Sequence, residues 1–367
     1  MNPPMRKPER ICLVGVGLIG GSIGMGLIQR EPAVEVVGVD VDAAVLAAAV
    51  RQEAIHRGTT DLAQGVRGAD LVVLAIPPGE VGVVAAAMAA HLAPGAVVTD
   101  VASTKKAPAQ AIEACLPEHA AYLGGHPMAG SERAGIAAAD PYLFENAVWA
   151  LTPTGRSTAR AWELVSWLVA TLGAHPLSLS PAEHDLAVAA TSHLPYLVAV
   201  ALIHTLDGHE AALKLAGRGL RDVTRVAGSD PRLWREILLS NKEEVLLALA
   251  SFRRHLNELA ALLEGNKEEV LEGALARGRE GRFRLPAGLR AYLPALEEVV
   301  LTIPDRPGSL ALVTGLLGQA GINIADIEIM GVREGEGGSV RLGFAGEEAA
   351  ARALEVLGAA GIKCRRR

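Results

Sequence analysis

The most chemically pointed stretch of this chain is Gly124-Gly-His-Pro-Met-Ala-Gly130, a histidine set among glycines. An unperturbed imidazole titrates near pH 6.5, so His126 is suited to take up or hand over a proton near neutrality. The glycines on either side read as a turn that leaves room for a substrate against the backbone. A second cluster is Gly15-Val-Gly-Leu-Ile-Gly20, which follows the apolar run Ile11–Val14. Gly15 permits a tight turn, Gly17 lets a pyrophosphate approach the backbone, and Gly20 lets helix and strand pack closely. Leu18 and Ile19 open a helix whose free N–H groups and positive dipole end face the phosphates. The next apolar run ends at Asp40, twenty residues after Gly20. A carboxylate there holds both ribose hydroxyls of NAD and repels the 2′-phosphate of NADP, so NAD is the expected cofactor. A glycine-rich turn with a helix-capping aspartate is the plainer alternative. A third feature is the pair Arg221 and Arg225, one helical turn apart, able to fork a carboxylate with parallel donors. A solvated helix face salted with Asp222 is the competing reading.

The elements that must position these groups follow from periodicity. Strand-like runs at 11–14, 36–39, 69–76 and 96–100 alternate with helical stretches, which predicts a parallel, doubly wound α/β fold with its ligands at the strands' carboxyl ends. Pro77 leaves the sheet at that edge beside the cofactor. Ser103 stands in the loop after the strand ending at Asp100, either contacting a ligand or capping the following helix. Tyr122–His126 reads as a further strand and turn. A short last strand falls within 174–180, and from 181 the pattern becomes long apolar helices. Boundaries at 10–180, 181–290 and 297–367 are expected, with a linker over 281–294.

These pieces together resemble the prephenate dehydrogenase family, which includes arogenate and cyclohexadienyl dehydrogenases. The matching motifs are Gly15-Val-Gly-Leu-Ile-Gly-Gly-Ser22, Thr99-Asp-Val-Ala-Ser-Thr-Lys105, Gly125-His-Pro-Met-Ala-Gly-Ser131, Thr191-Ser-His-Leu-Pro195 and Arg221-Asp-Val-Thr-Arg225, in the family's order over residues 10 to 290. The resemblance implies oxidative decarboxylation of prephenate to 4-hydroxyphenylpyruvate in tyrosine biosynthesis. It implies His126 as proton acceptor, Ser103 as its partner on the same hydroxyl, and Ser131, His193, Arg225 and, second, Arg221 on the substrate. Many members carry a histidine where this chain has Tyr196, which leaves arogenate or dual specificity open. The apolar helices, with no second sheet to cover them, and the resemblance both point to a homodimer.

The C-terminal part reads as βαββαβ and resembles an ACT domain, a ferredoxin-like module, through Asp305, Pro307, Gly308 and Asn323. The turn before its first helix offers N–H groups to an amino-acid carboxylate. The resemblance and the pathway's logic make tyrosine the expected effector. A non-catalytic NAD and amino-acid sensor is the alternative from another class, and Ser103, His126 and Arg225 together count against it.

Composition narrows the partners. A formal charge of −6 over 367 residues gives no global cationic field for nucleic acid or an anionic membrane. Three scattered cysteines with no CxxC pair fit a reducing, cytoplasmic setting and no metal site. His184 and His193 read as structural histidines, with no ligand set completed around them. The N-terminus does not read as a signal peptide. The apolar run 186–203 contains Ser192, His193 and Pro195, which are costly in lipid, so a broken, buried helix is expected.

Overall fold

The computed structural model describes residues 6–130, 133–284, 296–304, 306–333 and 337–366. The chain divides into two compact units, Met1–Leu285 and Pro286–Arg367.

In the first unit the elements run β1 (Arg10–Val14), α1 (Leu18–Arg30), β2 (Glu35–Val39), α2 (Ala43–Arg51), β3 (Arg57–Thr59), α3 (Leu62–Val66), β4 (Leu71–Leu74), α4 (Val81–Met88), β5 (Val97–Asp100), α5 (Lys106–Cys115) and β6 (Ala121–Tyr122). They build a parallel sheet of order β3-β2-β1-β4-β5-β6. β4 and β5 are buried throughout and β1 from Ile11 onward, as expected where helices cover both faces. The order reverses between β1 and β4, which opens a ligand crevice at their carboxyl ends, where the Gly15–Gly20 turn lies.

The chain then changes sheets. β7 (Gly124–Pro127), β8 (Val148–Thr152) and β9 (His175–Ser178) form a second sheet of order β7-β8-β9, with α6 (Ala159–Thr171) between β8 and β9. Here the structure corrects the sequence reading. Tyr122–His126 is not one strand and turn; Leu123 is the crossing point between two sheets, and His126 lies within β7, paired across from Ala150. α6 is fixed by Thr158, whose side chain caps Ala161 N–H, and by Ala161, Leu164, Val165, Leu168 and Val169, all buried at i, i+3, i+4, i+7, i+8 spacing. Each of its large buried side chains contributes roughly 1.5–3 kcal/mol of transfer free energy.

From residue 181 the unit is helical: α7 (Pro181–Val188), a π-helical segment Ala189–His193, α8 (Leu194–His204), α9 (Glu210–Lys214), α10 (Arg218–Thr224), a 3-10 turn Arg225–Gly228, α11 (Pro231–Ser240), α12 (Lys242–Glu264) and α13 (Glu268–Arg284). α13 runs past Gly281, so the stretch read as a linker is helical at its start; residues 285–294 lie outside the described ones. Pro181–His204 is long and apolar enough to cross a membrane by length and composition. It nevertheless carries His184, Asp185 and His193, which are buried and hydrogen-bonded within the unit.

The second unit is β10 (Glu297–Ile303), α14 (Ser309–Gln319), β11 (Asp326–Arg333), β12 (Gly337–Phe344), α15 (Glu347–Ala359) and β13 (Cys364–Arg366). This is the expected βαββαβ, with an antiparallel sheet of order β11-β12-β10-β13 and a core of Val299, Leu301, Val313, Leu317, Leu342, Phe344 and Leu357. On the sheet Arg341 is held by Glu298, Asp326 and Glu328.

Candidate active site

The nucleotide turn behaves as its glycines require. Gly15 adopts φ +87°, and a Cβ there would stand 2.3 Å from the Ala75 carbonyl oxygen. A Cβ on Gly20 would stand 2.0 Å from Gly15 O, whereas one on Gly17 meets nothing within 4 Å. Gly15 and Gly20 therefore serve the protein's own packing, and Gly17 leaves its open space for a ligand at the head of α1, whose first residues are Leu18 and Ile19. Asp40, just past β2, accepts Val16 N–H at 3.0 Å and Asp42 N–H at 3.1 Å. A carboxylate has about four acceptor positions, so two remain for hydroxyls. Asp42, and not Asp40, caps α2 through Ala44 N–H. Pro77 is exposed beyond the end of β4, on the same edge of the sheet.

The glycines beside His126 have a different use from the one expected. A Cβ on Gly124 would stand 2.4 Å from Thr152 Oγ1, and one on Gly125 would stand 2.8 Å from Trp149 Nε1 and 3.0 Å from Asp100 O. They let β7 lie tightly against β5 and β8; they do not make room for a substrate. The open glycines are Gly130 and Gly135, after the strand.

The half-buried His126 begins a line of hydrogen bonds that runs into the interior. Its Nδ1 lies 2.8 Å from His184 Nε2, and His184 Nδ1 lies 2.8 Å from Asp185 Oδ1. Asp185 also accepts the backbone N–H groups of Lys105 at 2.7 Å and Lys106 at 2.9 Å, one on each oxygen. The first turn of α5 is thus capped in trans by a carboxylate from α7. Ser103, read from sequence as a possible cap, is not one: α5 begins at Lys106 with Lys105 in the cap position, and Ser103 is half-buried in the preceding loop. α7 itself is started by a capping box in which Ser180 and Glu183 exchange side-chain and backbone bonds. That box places His184 and Asp185 in the first two turns, facing α5.

A second buried set lies beneath. The Lys105 ammonium, wholly buried, pairs with Asp100 and donates to Gly125 O at 2.6 Å. Asp100 accepts Tyr122 O–H at 2.7 Å and Ala102 N–H at 3.1 Å. The strand that carries His126 is therefore tied to β5 one residue before the imidazole. Next to these, Asn241 donates to Asp185 O at 2.7 Å and lies 3.3 Å from His193 Nδ1.

Burial holds the His126 pKa well below 6.5, and His184, Lys105 and His193 push it further in the same direction. His193 is lowered to about 4, mainly by burial, with His184 adding to the shift and Asp185 opposing it. Burial lowers the Lys105 pKa and Asp100 opposes that shift, while burial, helped by Asp100, holds Tyr122 well above 10. At neutral pH both imidazoles are neutral, so His126 is an acceptor and not a cation.

The structure thus brings His126 and His193 into one cluster with His184, Asp185, Lys105, Asp100 and Asn241. Sequence reasoning assigned no role in the site to Asp185, Asp100 or Asn241, placed Lys105 with Lys106 and Ser103 at a strand end suited to ligand contacts, and treated His184 as structural. The capping-box signature Ser180-Pro-Ala-Glu183 is the one local signal that fixes where His184 points. Arg221 donates to Ala216 O at 3.2 Å near the end of α10, and Arg225 is exposed at the start of the 3-10 turn that follows. Tyr196 is buried with its ring stacked on Trp234, centroids 3.8 Å apart. Ser131 and Asp305 lie outside the described residues. In the second unit a cavity of about 240 Å³ is lined by Ile303, Arg306, Pro307, Gly308, Ser309 and Ile329 among others, with Gly308 at φ +90° heading α14; Asn323 is exposed and is not part of that lining.

Comparisons with known proteins cover most of the chain. Residues 23–177 match the family model "Prephenate dehydrogenase, nucleotide-binding domain", 180–277 match "Prephenate dehydrogenase, dimerization domain", and 298–359 match the ACT domain. A prephenate dehydrogenase of Bacillus subtilis is 32% identical over 354 residues, 95% of each chain. Among solved structures, the A. aeolicus prephenate dehydrogenase in complex with hydroxyphenyl propionate and NAD+ is 32% identical with a TM-score of 0.71, covering 75% of this chain and 97% of that one. The Synechocystis arogenate dehydrogenase is likewise 32% identical, with a TM-score of 0.68, covering 75% of this chain and 99% of its own.

Proposed function

The chain belongs to the prephenate dehydrogenase family of oxidoreductases, and from that premise we propose that it converts prephenate to 4-hydroxyphenylpyruvate with NAD as hydride acceptor. The observation that carries the proposal is the half-buried His126 on β7, its Nδ1 2.8 Å from Nε2 of the buried His184 and its pKa held below 6.5 by desolvation and by its neighbours, which keeps the imidazole a proton acceptor.

The Gly15–Gly20 turn and Asp40 would hold NAD, which when bound would supply the hydride acceptor. Gly17 gives the pyrophosphate its approach, and Asp40 retains acceptor capacity for ribose hydroxyls while disfavouring a 2′-phosphate. As hydride leaves C4 of the cyclohexadienol, positive charge builds on that carbon and its hydroxyl. His126 accepts the hydroxyl's hydrogen and so stabilises the charge. The bond to the ring carboxylate then breaks, its electron pair completes the aromatic ring, and carbon dioxide departs. Ser103 shares the hydroxyl with His126. Arg225, with Arg221 and Ser131 as lesser contacts, receives carboxylate, and a charge-assisted fork is the strongest such contact available to a side chain. His193 and Tyr196 shape the wall on the side of α8.

Arogenate, or both substrates, is the second reading. It is favoured by Tyr196, which stacks on Trp234 where many relatives have a histidine. The exposed Leu239, Leu246, Leu247, Leu256 and Leu263 of α11 and α12 support a homodimer through the helical part. The cavity at Pro307 and Gly308 supports an amino-acid effector, tyrosine, in the second unit. The three free cysteines support a cytoplasmic setting.

The test is NADH formation with prephenate and arogenate offered separately, each with NAD or NADP, with and without tyrosine. Turnover of prephenate with NAD, lowered by tyrosine, is expected. His126→Asn should cost about 100-fold or more in kcat while NAD still binds. Unchanged turnover in that variant would refute the assignment of His126.

A further inference from the structure

The hydrogen-bond line behind His126 carries directional information. Asp185 receives two backbone N–H groups at the head of α5, one on each oxygen, and a third hydrogen bond from the His184 ring. A carboxylate so placed is an ionised acceptor, and its charge is already balanced by the helix N-terminus, which carries roughly half a positive charge. It therefore takes a proton from His184 Nδ1 without requiring an imidazolium there. A neutral His184 protonated on Nδ1 has a bare Nε2. That bare nitrogen lies 2.8 Å from His126 Nδ1, and a contact so short between two ring nitrogens needs one hydrogen between them. Only His126 can provide it.

We infer that His184 and Asp185 are positioning residues that hold His126 as its Nδ1–H tautomer, leaving Nε2 as the unprotonated nitrogen that faces the substrate hydroxyl. This rests on the proposed role of His126 as proton acceptor and adds which nitrogen accepts and why. The opposite tautomer would present an N–H to the hydroxyl and could polarise it only as a donor, the wrong sense for a hydroxyl whose carbon is losing hydride. The same geometry serves after the proton arrives: the imidazolium's Nδ1–H points along two hydrogen bonds to an anion, so its charge is stabilised without solvent. Because Asp185 also caps α5, the Ser103 loop and the His126 tautomer are set by a single carboxylate. Both ring centroids are 5.0 Å apart at 69°, an edge-on arrangement that suits the ring-to-ring bond.

Two readouts test this, one of which is independent of turnover. In full-length protein labelled with ¹⁵N-histidine, the His126 Nε2 resonance should have the chemical shift of an unprotonated ring nitrogen and Nδ1 that of a protonated one; the reverse pattern overturns the inference. His184→Leu removes the acceptor and should lower kcat by about 100-fold or more, as other wrong-tautomer variants do, with KM for NAD unchanged. His184→Gln places an amide oxygen near the position of Nε2 and should recover at least about 10-fold of that loss. If His184→Leu does not fold, the resonance assignment in the unaltered protein and the His184→Gln rate decide the matter: a reversed tautomer, or a Gln variant as slow as His126→Asn, overturns it. Loss of turnover in His126→Asn together with unaltered turnover in His184→Leu would sink this inference while leaving the role of His126 intact. Unaltered turnover in His126→Asn would sink both.

Discussion

Replacing Lys105 with methionine isolates what the buried cation does. Its ammonium is wholly buried, paired with Asp100 and bonded to Gly125 O. Removing one member of such a pair typically costs about 3–5 kcal/mol, because the other charge stays buried without compensation. Asp100 would keep two donors, Tyr122 O–H and Ala102 N–H, and methionine would fill most of the space. The lower end, about 3 kcal/mol, is therefore expected, a large share of the 5–15 kcal/mol that holds a typical domain. At roughly 2 °C per kcal/mol for a unit of this size, the midpoint should fall by about 6 °C. The assay is tryptophan fluorescence during denaturation, since all four tryptophans, at 149, 162, 167 and 234, precede residue 285 and report on the first unit alone. Adding Asp100→Asn to Lys105→Met removes the stranded charge and should recover at least about 1 kcal/mol. A loss below about 1 kcal/mol for the single variant, or a double variant no more stable than the single, would refute the reasoning.

The remaining predictions concern pH and the nucleotide turn. His193 has its folded pKa lowered from 6.5 to about 4, so below pH 6.5 the unfolded chain gains a proton that the folded one refuses. Stability should therefore fall between pH 6.5 and about 4 by up to roughly 3 kcal/mol, with His126 acting in the same direction; His193→Gln should flatten the denaturation profile in that window. With His126 kept neutral by burial and by facing His184, Lys105 and His193, kcat/KM should stay flat as pH falls past 6.5, and an acid limb centred at 6.5 in the rate profile would contradict this. Gly20→Ala should destabilise the protein, because its methyl would meet Gly15 O, whereas Gly17→Ala should leave the melting of the ligand-free protein unchanged and weaken NAD binding measured by calorimetry.

Much of the scaffold is legible from local pattern. The strand, Gly15–Gly20 turn and helix follow one another in sequence, so their physics is contained in about thirty residues, and the βαββαβ periodicity of the C-terminal part is equally local. The site is less so. Gly124 and Gly125 look the same in sequence whether the absent Cβ makes way for a ligand or for Trp149 and Thr152, and here the protein fills the space. Asp185 belongs to no motif, because its partners at Lys105 and Lys106 are about eighty residues away and it meets them through backbone N–H groups that every residue possesses. Lys105 stands inside a recognised motif, yet only the fold shows that it points inward to Asp100 and not outward to a phosphate. Arg221 and Arg225 lie on either side of the change from α10 to a 3-10 turn, a boundary that a four-residue spacing in the sequence does not announce.

The π-helical segment Ala189–His193 can be read as a correction of angle. In an unbroken α-helix each residue advances about 100°, so nine residues separate His184 from His193 by about 180°, and the two imidazoles would face away from each other. A π segment absorbs about one extra residue, which reduces that angle to roughly 80° and lets both rings meet the layer formed by Asp185 and Asn241. The helix thus spends one residue of length to bring two distant positions into phase. Deleting a single residue between Ala189 and Ser192 would let the α-helix close up with His193 eight residues after His184, at the same angle of roughly 80°, whereas regularising the segment to α-helix with every residue kept would turn His193 toward the opposite side and rotate every side chain of α8 along with it.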